Sequence, residues 1–104
     1  MPIDITMQYF DDCPNWRQAD RDLKDAIRLL NLDADITYRK VESQAEAEGL
    51  GFRGSPTFLI SGRDPFADSS APVALSCRVY PSAQGPSGTP GVDALKRALG
   101  GASS

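Results

Sequence analysis

Ile3-Asp4-Ile5-Thr6-Met7-Gln8-Tyr9-Phe10-Asp11-Asp12-Cys13-Pro14-Asn15-Trp16 passes from one backbone period to another around a single cysteine. Ile3 to Phe10 alternates apolar and polar residues and then turns apolar, as a strand entering a core does. From Pro14 the period lengthens. Trp16, Ala19, Leu23, Ala26, Ile27 and Leu30 fall on one helical stripe, with Arg17, Asp20, Arg21, Lys24, Asp25 and Arg28 outside it. Proline has no amide hydrogen to leave unpaired at a first helical position, so Pro14 starts the helix and Cys13 falls at its cap. A helix N-terminus stabilises a thiolate and lowers its pKa, which makes Cys13 a candidate nucleophile.

Outward from this stretch the periods keep alternating. After Asn31-Leu32-Asp33, Ile36 to Val41 is rich in β-branched and aromatic residues and reads as a second strand. Ser43 followed by Glu46 is a capping-box signature for a short helix that Gly49 and Gly51 end. Strand, helix, strand, helix implies two parallel strands joined by a right-handed crossover. Thr57 to Ile60, entered through Gly54-Ser55-Pro56 and closed by Ser61-Gly62, reads as a third strand. Leu75 to Tyr80 alternates and makes a fourth, with Leu75, Cys77 and Val79 on one face. Between them, Arg63 to Pro72 is too long for a tight hairpin. Pro81 to Gly91 is rich in Pro, Gly and Ser and reads as a mobile surface loop. Thr89-Pro90 then caps a last helix with Val92, Leu95, Ala98 and Leu99 on one face and Gly100-Gly101 as its stop. One domain over residues 1–100 with a frayed tail over 101–104 is expected.

Composition narrows the function. With 104 residues and 40% hydrophobic content, the chain holds one modest core. Its net charge of −3, from 11 basic and 14 acidic residues mixed along the chain, offers no basic stripe for nucleic acid. No run approaches a membrane span and the N-terminus lacks the pattern of a secretion signal, so a soluble, cytoplasmic protein is expected. Two cysteines in that setting point to catalysis, metal binding or simple burial before a structural disulfide. The absence of histidine excludes Cys-His pairs, His-ligated zinc and imidazole bases.

The order β-α-β-α-β-β-α, the cysteine at the first strand-to-helix junction and the Gly-x-Pro-Thr before the third strand together resemble the thioredoxin fold. The resemblance runs from Ile5 to Leu99. It implies an α/β domain with a four-stranded mixed sheet of order 2-1-3-4 and helices on both faces. It also implies a cis Ser55-Pro56 bond beside Cys13. Cys13-Pro14-Asn15, Gly54-Ser55-Pro56-Thr57, Gly62-Arg63-Asp64-Pro65-Phe66 and Ser76-Cys77-Arg78-Val79-Tyr80 look like a group of short actinobacterial thioredoxin-like proteins, some of which carry the label alkylmercury lyase. Thioredoxins have Cys-x-x-Cys, and the position of the second cysteine here is Trp16. What remains resembles monothiol members, in which one cysteine forms a mixed disulfide with glutathione or another protein.

The candidate site follows. Cys13 is read as a partly exposed thiolate, with Arg17 one turn on favouring the charge and Asp12, beside Asp11, opposing it. Trp16 packs on the core side of the helix or shields substrate. Ser55, Pro56 and Thr57 shape a substrate groove, with the backbone before Pro56 free to pair with an extended substrate. Cys77 reads as a small buried apolar residue, or as a resolving thiol. Two strand spacings put it about 10 Å from the first strand. A disulfide needs Cα atoms within about 7 Å, so direct pairing with Cys13 requires movement or an unusual register. Arg63-Asp64-Pro65-Phe66 is either a turn capped by Asp64 or a lid carrying Phe66. Asp20, Asp22 and Asp25 lie on a solvated helix face, and no metal site is assigned to them.

Three functions remain. The first is a monothiol redox protein leaning to thiol-disulfide oxidoreductase chemistry, acting through Cys13 on a protein disulfide or low-molecular-weight thiol. No resident cofactor is expected beyond glutathione as a reactant. The second is a soft-metal or organomercurial binding or lyase-like protein using Cys13 with Cys77. The third is a non-catalytic scaffold. A monomer or weak dimer, without nucleic-acid or membrane partners, is expected in each case.

Overall fold

Strand β1 (Ile3–Tyr9) forms where the alternation predicts, with Ile5 and Met7 fully buried on one face. The computed structural model describes residues 2–67, 72–82 and 85–103. Helix α1 (Asn15–Leu29) begins one residue later than expected, with Pro14 rather than Cys13 at its cap and no side chain capping it. Strand β2 (Ala34–Lys40) pairs parallel to β1, as the crossover rule requires. Helix α2 (Gln44–Leu50) starts on Ser43, whose hydroxyl accepts from the Glu46 amide at 3.1 Å, and ends on Gly51 in the left-handed region. Strand β3 (Thr57–Ile60) runs antiparallel to β1. Helix α3 (Val92–Ser103) completes the order.

The described residues thus form a small α/β fold with three helices and a three-stranded mixed sheet of order β2-β1-β3. Ala19, Leu23 and Ala26 of α1 and Leu95 and Leu99 of α3 bury against Ile5, Met7, Phe58 and Ile60 of the sheet. A smaller cluster of Val41, Ala47 and Phe52 seats α2. Deleting a buried side chain such as Leu23 from such a core costs about 2 to 5 kcal/mol. No described helix is long and apolar enough to cross a membrane.

The fourth strand is where sequence and structure part. Among the described residues, Leu75 to Tyr80 makes only isolated bridges, Ser55 with Cys77 in parallel and Tyr80 with Ser87 in antiparallel. Leu75 stays half-buried against Val41, Ala47 and Phe52 and Ser76 is exposed, but from Cys77 to Tyr80 the chain alternates with the expected faces exchanged. Arg78 and Tyr80 are buried, while Cys77 is exposed and Val79 is 68% accessible. The cause is the Arg78 guanidinium, whose Nη1 donates to Asp64 Oδ2 at 2.7 Å and whose Nη2 donates to the Phe66 carbonyl. A buried charge with its partners in place is tolerated inside. Register then sends every second residue out.

Smaller differences have equally local causes. Ser61 and Gly62 both take positive φ, and Ile60 and Arg63 exchange backbone hydrogen bonds, so a two-residue turn reverses the chain before the long loop begins. Asp22, placed by periodicity on the solvated face, is 9% exposed and accepts from Gln18 Nε2 at 2.8 Å and Thr89 Oγ1 at 3.2 Å. Thr89 therefore ties α1 to the approach of α3 instead of capping the last helix, which starts after Gly91 and continues through Gly100-Gly101. The expected frayed tail is helical as far as Ser103. Residues 68–71 and 83–84 of the two expected loops, and residue 104 of the tail, lie outside the described residues.

Candidate functional site

Gly54-Ser55-Pro56-Thr57 is held from every side. Gly54 has φ of +117°, and a Cβ on it would lie 2.8 Å from Arg78 Cβ. Only glycine meets both demands, the backbone conformation and the close approach. The Ser55-Pro56 bond is cis, as the resemblance implies. Ser55 is completely buried and uses all its polar groups. Its amide donates to the Ser76 carbonyl at 2.7 Å, and its carbonyl accepts from the Arg78 amide at 2.8 Å. Its hydroxyl accepts from the Phe10 amide at 2.9 Å, pinning the end of β1. The segment Ser76-Cys77-Arg78 therefore occupies the backbone edge expected to be open to an extended substrate.

This edge brings the two cysteines together. A turn closed by the Cys13 amide on the Phe10 carbonyl at 3.0 Å delivers the Cys13 thiol to the Ser55 carbonyl, to which its Sγ donates at 3.6 Å. On the other side of Ser55, the parallel bridge sets Cys77 beside it, and the Cys77 thiol comes near enough to Cys13 for Cys13 to help hold its proton. The expected lateral separation of about 10 Å assumed a regular fourth strand. Cys77 instead lies beside Ser55, ahead of β3, so the chain supplies the unusual register that direct pairing needs. Both thiols are free.

Exposure is the reverse of the expected order. Cys13 is fully buried, whereas Cys77 is exposed. The hydrogen bond to Cys13 holds the proton on Cys77 and, together with partial burial and the negative charge Cys13 can carry, pushes its pKa up to about 11. Cys77 also forms part of a groove of about 370 Å³, with Arg53, Phe66, Val79, Tyr80 and Pro81 among its walls.

The other candidate residues are mostly structural. Pro56 is fully buried, and its carbonyl accepts from the Tyr80 hydroxyl. Burial pushes the Tyr80 phenol pKa up, so the group stays a neutral donor. Thr57 is 5% exposed and donates to the Gly54 carbonyl at 2.5 Å, while Arg78 Nη1 approaches its Oγ1 at 3.4 Å. Ser55, Pro56 and Thr57 therefore shape the chain's own clasp, and Thr57 also lines a separate depression of about 270 Å³ with Gln8, Leu50, Leu59 and Asp64. Trp16 is half-buried and stacks on Tyr9 with ring centroids 4.4 Å apart. Arg17 lays its guanidinium over the Trp16 ring at 5.3 Å. Asp12 is exposed at a shallow depression that it shares with Asp11 and Lys40. Phe66 is no lid: it packs edge-on against Tyr80 and Phe58, and its amide donates to Asp64 Oδ1 at 2.9 Å, the capped turn.

Arg78, Asp64 and Tyr80 are the residues that sequence reasoning missed as builders of the site. The signal available was an arginine inside an alternating run, which ordinarily marks an outward face. Among the described residues no group of three or more His, Cys, Asp or Glu side chains could hold a metal. The donor set at the site is two sulfurs. Comparison with family models, curated proteins and solved structures yields no match to this chain.

Proposed function

We propose that this chain is a thioredoxin-like thiol-disulfide redox protein whose working pair is Cys13 and Cys77. The observation that carries the reading is the convergence of two thiols far apart in sequence on Ser55, one on each side of it. The monothiol chemistry expected of a lone Cys13 gives way to a dithiol couple, because a second thiol comes from the segment that replaces a regular fourth strand. The β2-β1-β3 order, with the third strand antiparallel, supports the resemblance, and Leu75 to Tyr80 meets the chain just ahead of β3 through the Ser55–Cys77 bridge.

The chemistry balances with one external disulfide. A protein thiolate attacks it and releases the first thiol, forming a mixed disulfide. The second protein thiolate then attacks that bond, closing Cys13-Cys77 and releasing the second thiol. The protein loses two electrons and two protons, and the disulfide becomes two thiols. A protein disulfide or a low-molecular-weight disulfide such as oxidised glutathione is the reactant, and the reductant of a cytoplasm restores the dithiol. A monomer or weak dimer suffices, since both thiols lie in one chain.

The test is thiol counting by intact mass after treating the reduced protein with oxidised glutathione. Loss of both thiols with two hydrogens, reversed by dithiothreitol and absent in Cys13→Ser and Cys77→Ser, is expected. Retention of both thiols, or oxidation only to linked dimers, would overturn the reading.

The same convergence favours a second reading, capture of a soft ion. A pair of neighbouring thiolates suits two-coordinate mercury or copper(I), which supports the organomercurial alternative. If mercury(II) binds one equivalent while oxidised glutathione leaves the thiols untouched, this second function replaces the first. A scaffold without chemistry would respond to neither.

A further inference from the structure

We propose that two copies of this chain join edge to edge along β2, running antiparallel about a two-fold axis at Thr37. Among the described residues β2 is an outer strand of the sheet, paired with β1 on one side only. Its register against β1 is unbroken from Ala34 to Lys40, and it holds no proline, glycine or bulge of the kind that blunts a free edge. The Asp33 carbonyl accepts from the Ile3 amide at 2.9 Å, and the Val41 amide donates to the Tyr9 carbonyl at 2.8 Å. Odd-numbered residues therefore turn their backbone groups to β1. By the alternation of the ladder, Ala34, Ile36, Tyr38 and Lys40 turn theirs to the free edge.

Reversed about Thr37, this edge is complementary to itself. Ile36 falls opposite Tyr38 of the second copy, and Ala34 opposite Lys40, so the residues with outward backbone groups meet one another. Each such pair can exchange two hydrogen bonds. Asp35 falls opposite Arg39, once in each half, as a non-hydrogen-bonded pair with Cα atoms about 4.5 Å apart, where side chains stand closest. Both residues are exposed, and neither is in an ion pair among the described residues. Asp35 also lies level with Asp4 of β1, so two exposed carboxylates stand side by side on one face. Like charges so placed are destabilising, and the Arg39 guanidinium of a second copy offsets them.

The other face supplies an apolar contact. Tyr38 is 42% exposed, and its hydroxyl donates to Asp20 Oδ1 at 2.6 Å, which fixes the ring before a partner arrives. Ile36 of the second copy packs against that ring. The product is one continuous sheet of order β3-β1-β2-β2-β1-β3. Seven residues a side fall short of the roughly 20 to 30 that a stable complex uses, so association is weak and depends on concentration. Cys77 bridges to Ser55, just ahead of β3 and so on the opposite side of β1 from β2. The pairing therefore neither needs nor covers the thiol site, and either proposal can fail without the other.

The test is sedimentation equilibrium of the full chain in dithiothreitol, which removes disulfide-linked dimers, from about 10 µM to 1 mM, the span of weak association. The wild type is expected to pass from monomer towards dimer across that span. Arg39→Asp and Asp35→Arg each set like charges opposite one another twice, and each should weaken self-association about tenfold. An equimolar mixture of the two variants restores both ion pairs and should dimerise as the wild type does. Circular dichroism checks that both variants are folded. Thr37→Cys in a Cys77→Ser background should close a disulfide across the axis on oxidation, since facing residues there lie within disulfide reach. A wild type that stays monomeric throughout overturns the proposal. So does a dimer that Arg39→Asp leaves intact, a mixture of variants that stays monomeric, or a dimer that Thr37→Cys fails to cross-link.

Discussion

The Cys77 proton is held by its neighbour, and a single substitution releases it. With the Cys13 hydrogen bond and charge in place, the Cys77 pKa stands near 11, above its ordinary 9.0. From about pH 8 up to 11 the Cys77 thiolate is therefore scarcer than that of a thiol at the ordinary value. Cys13→Ala removes the two Cys13 contributions and leaves only burial, so the Cys77 thiolate becomes more abundant at pH 8. A less basic thiolate is also less nucleophilic, with a Brønsted slope of about 0.4 to 0.5, so roughly half of the logarithmic gain survives. Cys77 alkylation by iodoacetamide at pH 8 should therefore accelerate about tenfold in Cys13→Ala. Its pH profile should also level off nearer 9.0 than 11. An unchanged profile would mean that the two sulfurs are apart in solution. Cys13 and Pro56 were legible as site residues because the sequence around each carries its own local signature. Arg78 was not, since its burial depends on an aspartate that only the folded loop brings to it.

Among the elements, Ser76-Cys77-Arg78 matters most, for it turns a strand edge into a clasp over Cys13. Gly54 permits that closure. In Gly54→Ala the new Cβ would sit 2.8 Å from Arg78 Cβ, in a backbone conformation that alanine adopts only under strain. Strain of this kind costs about 1 to 3 kcal/mol. The clasp can relieve it by lifting away from Ser55. The variant should lose amide-exchange protection at Ser55 and Arg78, whose backbone bonds of 2.7 and 2.8 Å hold the clasp, while β1 stays protected. Cys13 should become open to alkylation at the same time. Protection retained at Ser55 together with a buried Cys13 would show that the clasp is not what covers the thiol. Elements with strong local codes were readable beforehand: the stripe of α1, the Ser43 cap of α2 and the apolar run of β3 each fold as their sequence dictates. Leu75 to Tyr80 was not, because alternation fixes a period but not which face is buried. Here a buried ion pair and an edge-on ring contact between Phe66 and Tyr80 choose the face that hydrophobicity alone would reject.

For the whole molecule, the pair joins the beginning of α1 to a segment late in the chain, across most of the sheet. Closing a disulfide between positions 13 and 77 would restrict a large part of the unfolded ensemble, worth about 4 kcal/mol by the loop-entropy relation. The folded state loses little in return if the sulfurs already touch, since Ser55 fixes both partners before any bond forms. In a domain of this size each kcal/mol moves the melting temperature by about 4 °C or more. Allowing half of the entropic gain to be lost to adjustment of the clasp, oxidation should raise Tm by about 10 °C. Calorimetry of the diamide-treated and dithiothreitol-reduced protein measures this directly. Cys77→Ser, treated identically, should melt at one temperature in both. A disulfide that forms in the wild type but leaves Tm unchanged or lowered would mean that closure distorts Ser55 and its clasp. The thiol contact would then be an encounter of two reduced side chains, with no preformed disulfide geometry behind it.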